Sequence, residues 1–140
     1  MADITITAAD VLVADSVRVA AVEAGVAIVA GKVLVYDSTD DDYILASNTT
    51  LALSGNAGAA SLVMSVGDAG AGQRVAVVGG GNTITVGSVL SKGRVYVLSG
   101  NGLISPESDA TSGDFVTIIG YALSATELYF NPQSTGLEIP

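Results

Sequence analysis

The chain has 140 residues, 49% hydrophobic and only 14% charged, with a net charge of -9 and no His, Cys or Trp. That length suits one domain, which buries about two-thirds of its unfolded surface without a metal or disulfide; the absence of Cys excludes disulfides, thiolate nucleophiles and zinc-thiolate sites. The only cations are Arg18, Lys32, Arg74, Lys92 and Arg94, too scattered to neutralise a phosphate backbone, so nucleic acid is not expected as a direct partner.

The hydrophobic fraction is mostly Ala, Val, Leu and Ile, so small residues must cover much of the surface. Such a composition favours an assembly in which subunits cover one another. The early apolar run "AGVAIVAG" is far shorter than the ~20 residues that span a bilayer. "MADITIT" has no basic n-region and no h-region after it, so the expectation is cytoplasmic synthesis with no membrane partner.

Along the chain, Val and Thr recur in short alternating runs separated by Gly, Asn, Asp and Ser, and the reading is all-β. Residues 1–16 form an N-terminal β-forming arm, with "ITIT" (Ile4 to Thr7) alternating and Val11 to Val13 extending it. Residues 17–140 form a single β-rich domain, a small barrel or sandwich of antiparallel hairpins. Val17, Val19 and Ala21 mark one strand, and "VAIVAG" and "KVLVYDS" are expected to be extended. "STDDD" turns the chain through Asp and Ser bonds to their own backbone, and "YILA" returns it. Residues 47–60 read as a loop, with room for one helical turn.

"SLVMSVG" is the next strand and "DAGAG" a turn. "QRVAVV" and "NTITV" flank "GGGN" as a hairpin. "RVYVLS" and "LIS" flank "GNG", where Asn-Gly supplies the positive φ values of a tight turn. From Phe115 to Ala122 both faces of the strand are apolar, and "ELYF" returns from "SAT". Phe115, Ile119, Leu128 and Phe130 are assigned to the core. Tyr121 and Tyr129, with polar tips, are assigned to a subunit boundary.

The chain also echoes itself. "AGKVLVYDS" resembles "KGRVYVLSG", and "LVMSVGDAGAGQ" parallels "VTIIGYALSATE". Two explanations stand side by side: related hairpin units in the two halves, or coincidence between valine-rich strands.

Candidate chemistry is sparse. "VVGGGNTITV" lacks the helix that must follow a phosphate-binding loop, and it lacks the Lys-Ser/Thr pair of a P-loop. Asp37, Asp40, Asp41 and Asp42 offer carboxylates to a hard cation but not the ligand spacing of an EF-hand, and the preferred reading is a solvated hairpin tip. Without His the usual base for a Ser nucleophile is missing. Ser-Lys dyads with Lys32 or Lys92, and acidic pairs such as Glu107 and Asp109, have nothing in the local sequence to single them out. No enzyme activity, catalytic residue, cofactor or metal is expected. The arm, as an alternating β-former, either pairs with the sheet edge of another protein or pairs within its own sheet or with a neighbouring copy.

From Gly31 onward the chain resembles the head decoration, or capsid cement, proteins of tailed bacteriophages. The resemblance lies in an ordered series: "GKVLVYDSTDDDYILA", "AGAGQRVAVVGGGNTITVG" and "LSKGRVYVLSGNGLISPESDATSGDFVTIIGYALSATELYFNPQSTG". Its most specific part runs from Tyr96 to Gly136. "LVMSVGDAGAGQ" departs from it, since similar proteins carry a Gly-Ile/Val-Ala strand before the Ala-Gly-Gln turn, which leaves the register there open. The resemblance implies a β-rich protein, often trimeric, on the outside of an icosahedral head at three-fold and pseudo-three-fold positions, without catalytic residues or cofactor.

On this reading the partners are a major capsid protein and further copies of the chain as a homotrimer, and the location is the outer surface of the virion. Ile4, Ile6, Val11 and Val13 are the expected capsid anchors, and removing residues 2–15 should leave a folded domain. The rival reading is a carbohydrate- or receptor-binding β module of a virion fibre or bacterial surface.

Overall fold

A computed structural model describes residues 3–50, 53–55, 62–109 and 111–140. Its strands are β1 (Ala20–Glu23), β2 (Val33–Asp37), β3 (Asp42–Leu45), β4 (Leu62–Ser65), β5 (Arg74–Val78), β6 (Asn82–Thr85), β7 (Val95–Leu98), β8 (Ile104–Pro106), β9 (Phe115–Ala122) and β10 (Glu127–Glu138). Several, such as β5, β6 and β9, are rich in β-branched residues, whose side chains pack well on a pleated surface. Helical structure among the described residues comprises short 3-10 turns such as Ala8–Asp10 and Glu107–Asp109, and no helix there is long and apolar enough to cross a membrane.

The strands form two five-stranded antiparallel sheets, ordered β1-β5-β4-β2-β3 and β6-β10-β9-β7-β8. The fold is all-β and sandwich-like. Adding five to each strand number of the first sheet reproduces the second, so the two halves share one topology. This supports related units as the source of the internal echo, with β2 matching β7 and β4 matching β9. The pairing also settles the open register: a bulge in β9, between the partners of Tyr96 and Val97, shifts the match. Val33 and Val35 pair with Met64 and Leu62, as Val95 and Val97 pair with Tyr121 and Ile118. "LVMS" is therefore level with Ile118 to Ala122, a few positions beyond the sequence alignment.

The Gly79–Gly80–Gly81 segment is not the tip of a hairpin. β5 pairs with β1 and β4, while β6 pairs with β10 in the other sheet. Three glycines let the chain leave one sheet and enter the next, with Gly81 at φ 87. The "GNG" turn behaves as its sequence demands, with Asn101 at φ 55 and Gly102 at φ 73. Gly102 is also a tie between the sheets: its carbonyl accepts from Val33 N–H at 2.9 Å and its N–H donates to Ala46 O at 2.7 Å.

The larger core cluster joins Val33, Val35, Leu62, Met64 and Val78 of the first sheet to Ile84, Tyr96, Ile104, Ile119, Leu128 and Phe130 of the second. A smaller cluster lies on the other face of the first sheet, where Leu34, Val63, Val75 and Val77 are covered by Ala24 and Ile28. The covering segment is not the strand expected of "VAIVAG"; only Ile28 bridges, to Ala69. Gly25 N–H donates to Tyr43 O at 2.8 Å, so the two edges of the first sheet approach each other and close it towards a barrel. Phe115 is half-buried at the start of β9 rather than in the core; Ile119, Leu128 and Phe130 are each 0% exposed. The expected loop over residues 47–60 lies partly outside the described residues.

The arm closes the second sheet. Ile4 N–H donates to Ile104 O on the β8 edge at 2.8 Å, and Leu12 and Thr85 exchange bonds of 2.9 and 2.8 Å on the β6 edge. Between these contacts the arm is extended, apart from the 3-10 turn. Val11 is 7% exposed within the main cluster, and Ile4, Ile6, Ala8 and Val13 pack against it half-buried. At Gly31 an added Cβ would stand 2.6 Å from Ile6 Cγ2 and 3.2 Å from Val11 Cγ2, which shows how closely the arm lies on the entry to β2.

Candidate functional site

With no catalytic constellation expected, the candidate site is a surface. Tyr121 and Tyr129 face each other across β9 and β10, with ring centroids 5.3 Å apart and planes tilted by 46°. Tilted pairs at this spacing satisfy the ring quadrupoles. They stand on the outside of the second sheet because Ile84, Leu128 and Ala122, their neighbours in the pleat, are turned into the core. Tyr121 is 44% exposed. Val95 and Thr83 flank the pair as cross-strand neighbours. Both tyrosines named from the sequence are thus brought together on an open sheet face.

The four apolar arm residues have a different environment. Val11 is inside the chain's own core, and Ile4, Ile6 and Val13 are half-buried against it. Among the large apolar side chains of the arm, Leu12 projects outwards, 63% exposed. It was not singled out by the alternation, which cannot tell which face of an isolated extended segment meets the body. Within the chain the arm thus supplies both core side chains and edge bonds.

At the β2–β3 hairpin tip, carboxylate oxygens of Asp37, Asp40 and Asp42 lie within 4.8 Å of one another. Asp41, at φ 53, turns away and accepts a 2.6 Å bond from the Tyr36 hydroxyl; this bond, with burial and nearby acidic charge, raises the Tyr36 pKa above its ordinary value. Asp42 Oδ1 is shielded from solvent and has no hydrogen-bond partner. Desolvation first, then the charges of Asp40, Asp37, Glu23 and Asp41, raise the Asp42 pKa above its ordinary value. Calcium takes six to eight oxygens, and three clustered aspartates supply only part of such a shell.

Among the described residues, clefts open on the first half. One of about 470 Å³ is lined by Ala27, Ile28, Val29, Lys32, Leu45, Asp68, Ala69, Gly70 and Gln73. Another, about 340 Å³, lies beside Tyr36 and Tyr43, whose ring centroids are 5.4 Å apart, with Glu23, Asp41 and Arg74 on its walls. Strand register sets Tyr43 opposite Tyr36.

Ser65, bonded to the Lys32 backbone, uses its hydroxyl structurally: it accepts from Lys32 N–H at 3.0 Å and donates to Val29 O at 2.8 Å. Glu107 forms a 4.0 Å ion pair with Arg94, both well exposed, of the kind that contributes little. Comparison of the chain with protein-family models, with characterised proteins and with solved structures finds no match.

Proposed function

We propose that the protein is a structural virion component that binds the outside of an icosahedral phage head and links neighbouring capsid subunits, self-associating as a trimer at three-fold and pseudo-three-fold positions. The ordered motif series from Tyr96 to Gly136 carries this reading, and it corresponds to one continuous piece of structure, β7 to β10. Cementing needs a rigid body with several simultaneous weak contacts, which multivalency converts into tight attachment. A doubled β scaffold tied at Gly102 and along the arm suits that task. The net charge of -9 disfavours adhesion to nucleic acid and to other acidic surfaces. Capsid contact by the arm, if made at Ile4, Ile6 and Val13, uses their exposed edges, with Leu12 the side chain most free to insert.

The test is co-sedimentation with undecorated phage heads. Saturable binding that Leu12→Asp weakens, with the melting temperature of the free protein unchanged, is the expected result. Absence of binding by the folded wild-type protein to heads of several tailed phages would count against the reading.

The cleft beside Tyr36 and Tyr43 favours a second reading, a glycan-binding module. The exposed Tyr36 ring and the half-buried Tyr43 ring, next to Glu23, Asp41 and Arg74, offer a stacking surface and polar partners. Specific signal on a glycan array that Tyr36→Ala abolishes would support it over the capsid reading.

A further inference from the structure

Asn101-Gly102 is the only Asn-Gly pair in the chain, and such a pair can react with itself. Once the main-chain nitrogen after an asparagine gives up its proton, it attacks the side-chain carbonyl carbon, Cγ. A C–N bond forms, ammonia leaves, and a five-membered imide results. Water then opens the imide at either carbonyl. One opening leaves aspartate; the other leaves isoaspartate, in which the main chain runs through Cβ and Cγ and is one carbon longer. A following glycine exposes the nitrogen most, because no side chain screens it.

The setting of the turn opposes this reaction. Gly100 to Leu103 make a tight turn, in which Leu103 N–H donates to Gly100 O at 3.1 Å and both central residues have positive φ, 55 for Asn101 and 73 for Gly102. Asn101 is exposed, so water reaches its side chain, whereas Gly102 is buried. The Gly102 N–H donates to Ala46 O just past β3 at 2.7 Å, and its carbonyl accepts from Val33 N–H at the start of β2 at 2.9 Å. The nitrogen that would attack therefore has its proton engaged on the first sheet. Freeing it would take this donor from the carbonyl of Ala46, a residue 0% exposed, at the cost of an unmade buried bond. Gly102 is also packed tightly: a Cβ built on it would stand 2.9 Å from Val33 O and 3.1 Å from Leu45 Cδ2.

We propose that Asn101-Gly102 is a latent self-modification site, inert while Gly102 ties the two sheets together and released when they part. The product cannot restore the tie. Isoaspartate inserts a main-chain carbon immediately before Gly102, in a turn whose short length fixes where both bonds of that residue fall. Val33 N–H and Ala46 O, each on a residue 0% exposed, would then face a partner displaced by the insertion. Opening of the sandwich thus becomes irreversible once the open chain has aged. The inference concerns the fold and is independent of what the protein attaches to.

The full chain is incubated in mildly alkaline buffer, with and without enough urea to abolish its circular dichroism spectrum, and the peptide spanning Asn101 is followed by mass, with fragment ions distinguishing aspartate from isoaspartate. Conversion at Asn101 should be at least about tenfold slower in the native buffer. In urea Asn101 should convert well before Asn48, Asn82 and Asn131, none of which precedes glycine. Equal rates at Asn101 with and without urea would overturn the inference. Isoaspartate chains, separated by chromatography and returned to native buffer, should either fail to refold or melt at least about 5 °C below unmodified chains taken through the same treatment. Asn101→Asp carries the same added charge without the extra carbon and should melt close to wild type. Isoaspartate chains that melted with the unmodified ones, or an Asn101→Asp protein that lost as much as they did, would show that lengthening the turn does not break the tie, and the inference would fall.

Discussion

Adjacent arm residues should respond to truncation in opposite ways. Val11 is 7% exposed within the main cluster, whereas Leu12 is 63% exposed. Val11→Ala removes two buried methyl groups at about 0.8 kcal/mol each, and the incompletely collapsed space left beside Gly31 and Ile6 adds a cavity cost; the expected loss is about 2 kcal/mol. For a chain of this size that lowers the melting temperature by about 6 °C. Leu12→Ala should stay within about 0.5 kcal/mol of wild type, as surface changes do. Thermal and urea melts followed by circular dichroism, at one matched protein concentration because self-association shifts apparent stability, measure both. If Val11→Ala melted with the wild type, or Leu12→Ala cost as much as Val11→Ala, the arm would not be seated as described.

Further outcomes follow from individual residues. Gly120→Ala should be strongly destabilising, by about 3 kcal/mol, because an added Cβ runs into the main-chain carbonyl of Tyr129 across the β9–β10 ladder; a chemical melt would show it, and a neutral result would refute that close approach. Phe130→Ala should cost about 3–5 kcal/mol, whereas Phe115→Ala, at a half-buried site, should cost roughly 1–2 kcal/mol; equal losses in urea melts would contradict the burial difference. Asp42 has a raised pKa in the folded state, so the native protein holds that proton more tightly than the unfolded chain does. Its contribution to stability falls as pH rises from the ordinary aspartate pKa through the raised folded value, and the penalty remains at neutral pH. Asp42→Asn should therefore raise the melting temperature at pH 7 and lose that advantage progressively on acidification. An Asn variant less stable at pH 7, or an advantage independent of pH, would show that repulsion and desolvation at the hairpin tip are not what raise the pKa.

The all-β class and most individual strands were legible because alternation and turn chemistry act over a few residues. Asn101-Gly102 adopts the backbone its side chains prefer, and the β2–β3 hairpin forms around its Asp-rich turn with Tyr36 opposite Tyr43. "QRVAVV" and "NTITV" show where local reading stops. Both are strands, but three glycines between them suit a tight turn and a crossover equally well. The partner of each is chosen by apolar faces far away in the chain: Val22 opposite Val75, and Leu128 opposite Ile84. What the arm lies on was left open for the same reason, between another protein and its own sheet or a neighbouring copy. "ITITAADVLV" announces an extended segment but not what it lies on, and the contacts that seat it come from Ile104, Thr85 and the approach to β2 at Gly31.

The sequence by itself determined the secondary structure class, the scarcity of catalytic groups and the acidic charge balance, whereas the pairing of Tyr121 with Tyr129 came from strand register. The sequence also contained the internal echo in outline. Only the tertiary structure decided that the echo is a doubled five-stranded unit, that a bulge moves its register, and that Tyr121 occupies the place of the buried Met64. Local preferences are short-range energies repeated along the chain and are readable residue by residue. Which sheet a strand joins, and which face is left uncovered, depends on the sum of burial over the whole molecule, and that sum exists only once the chain has folded.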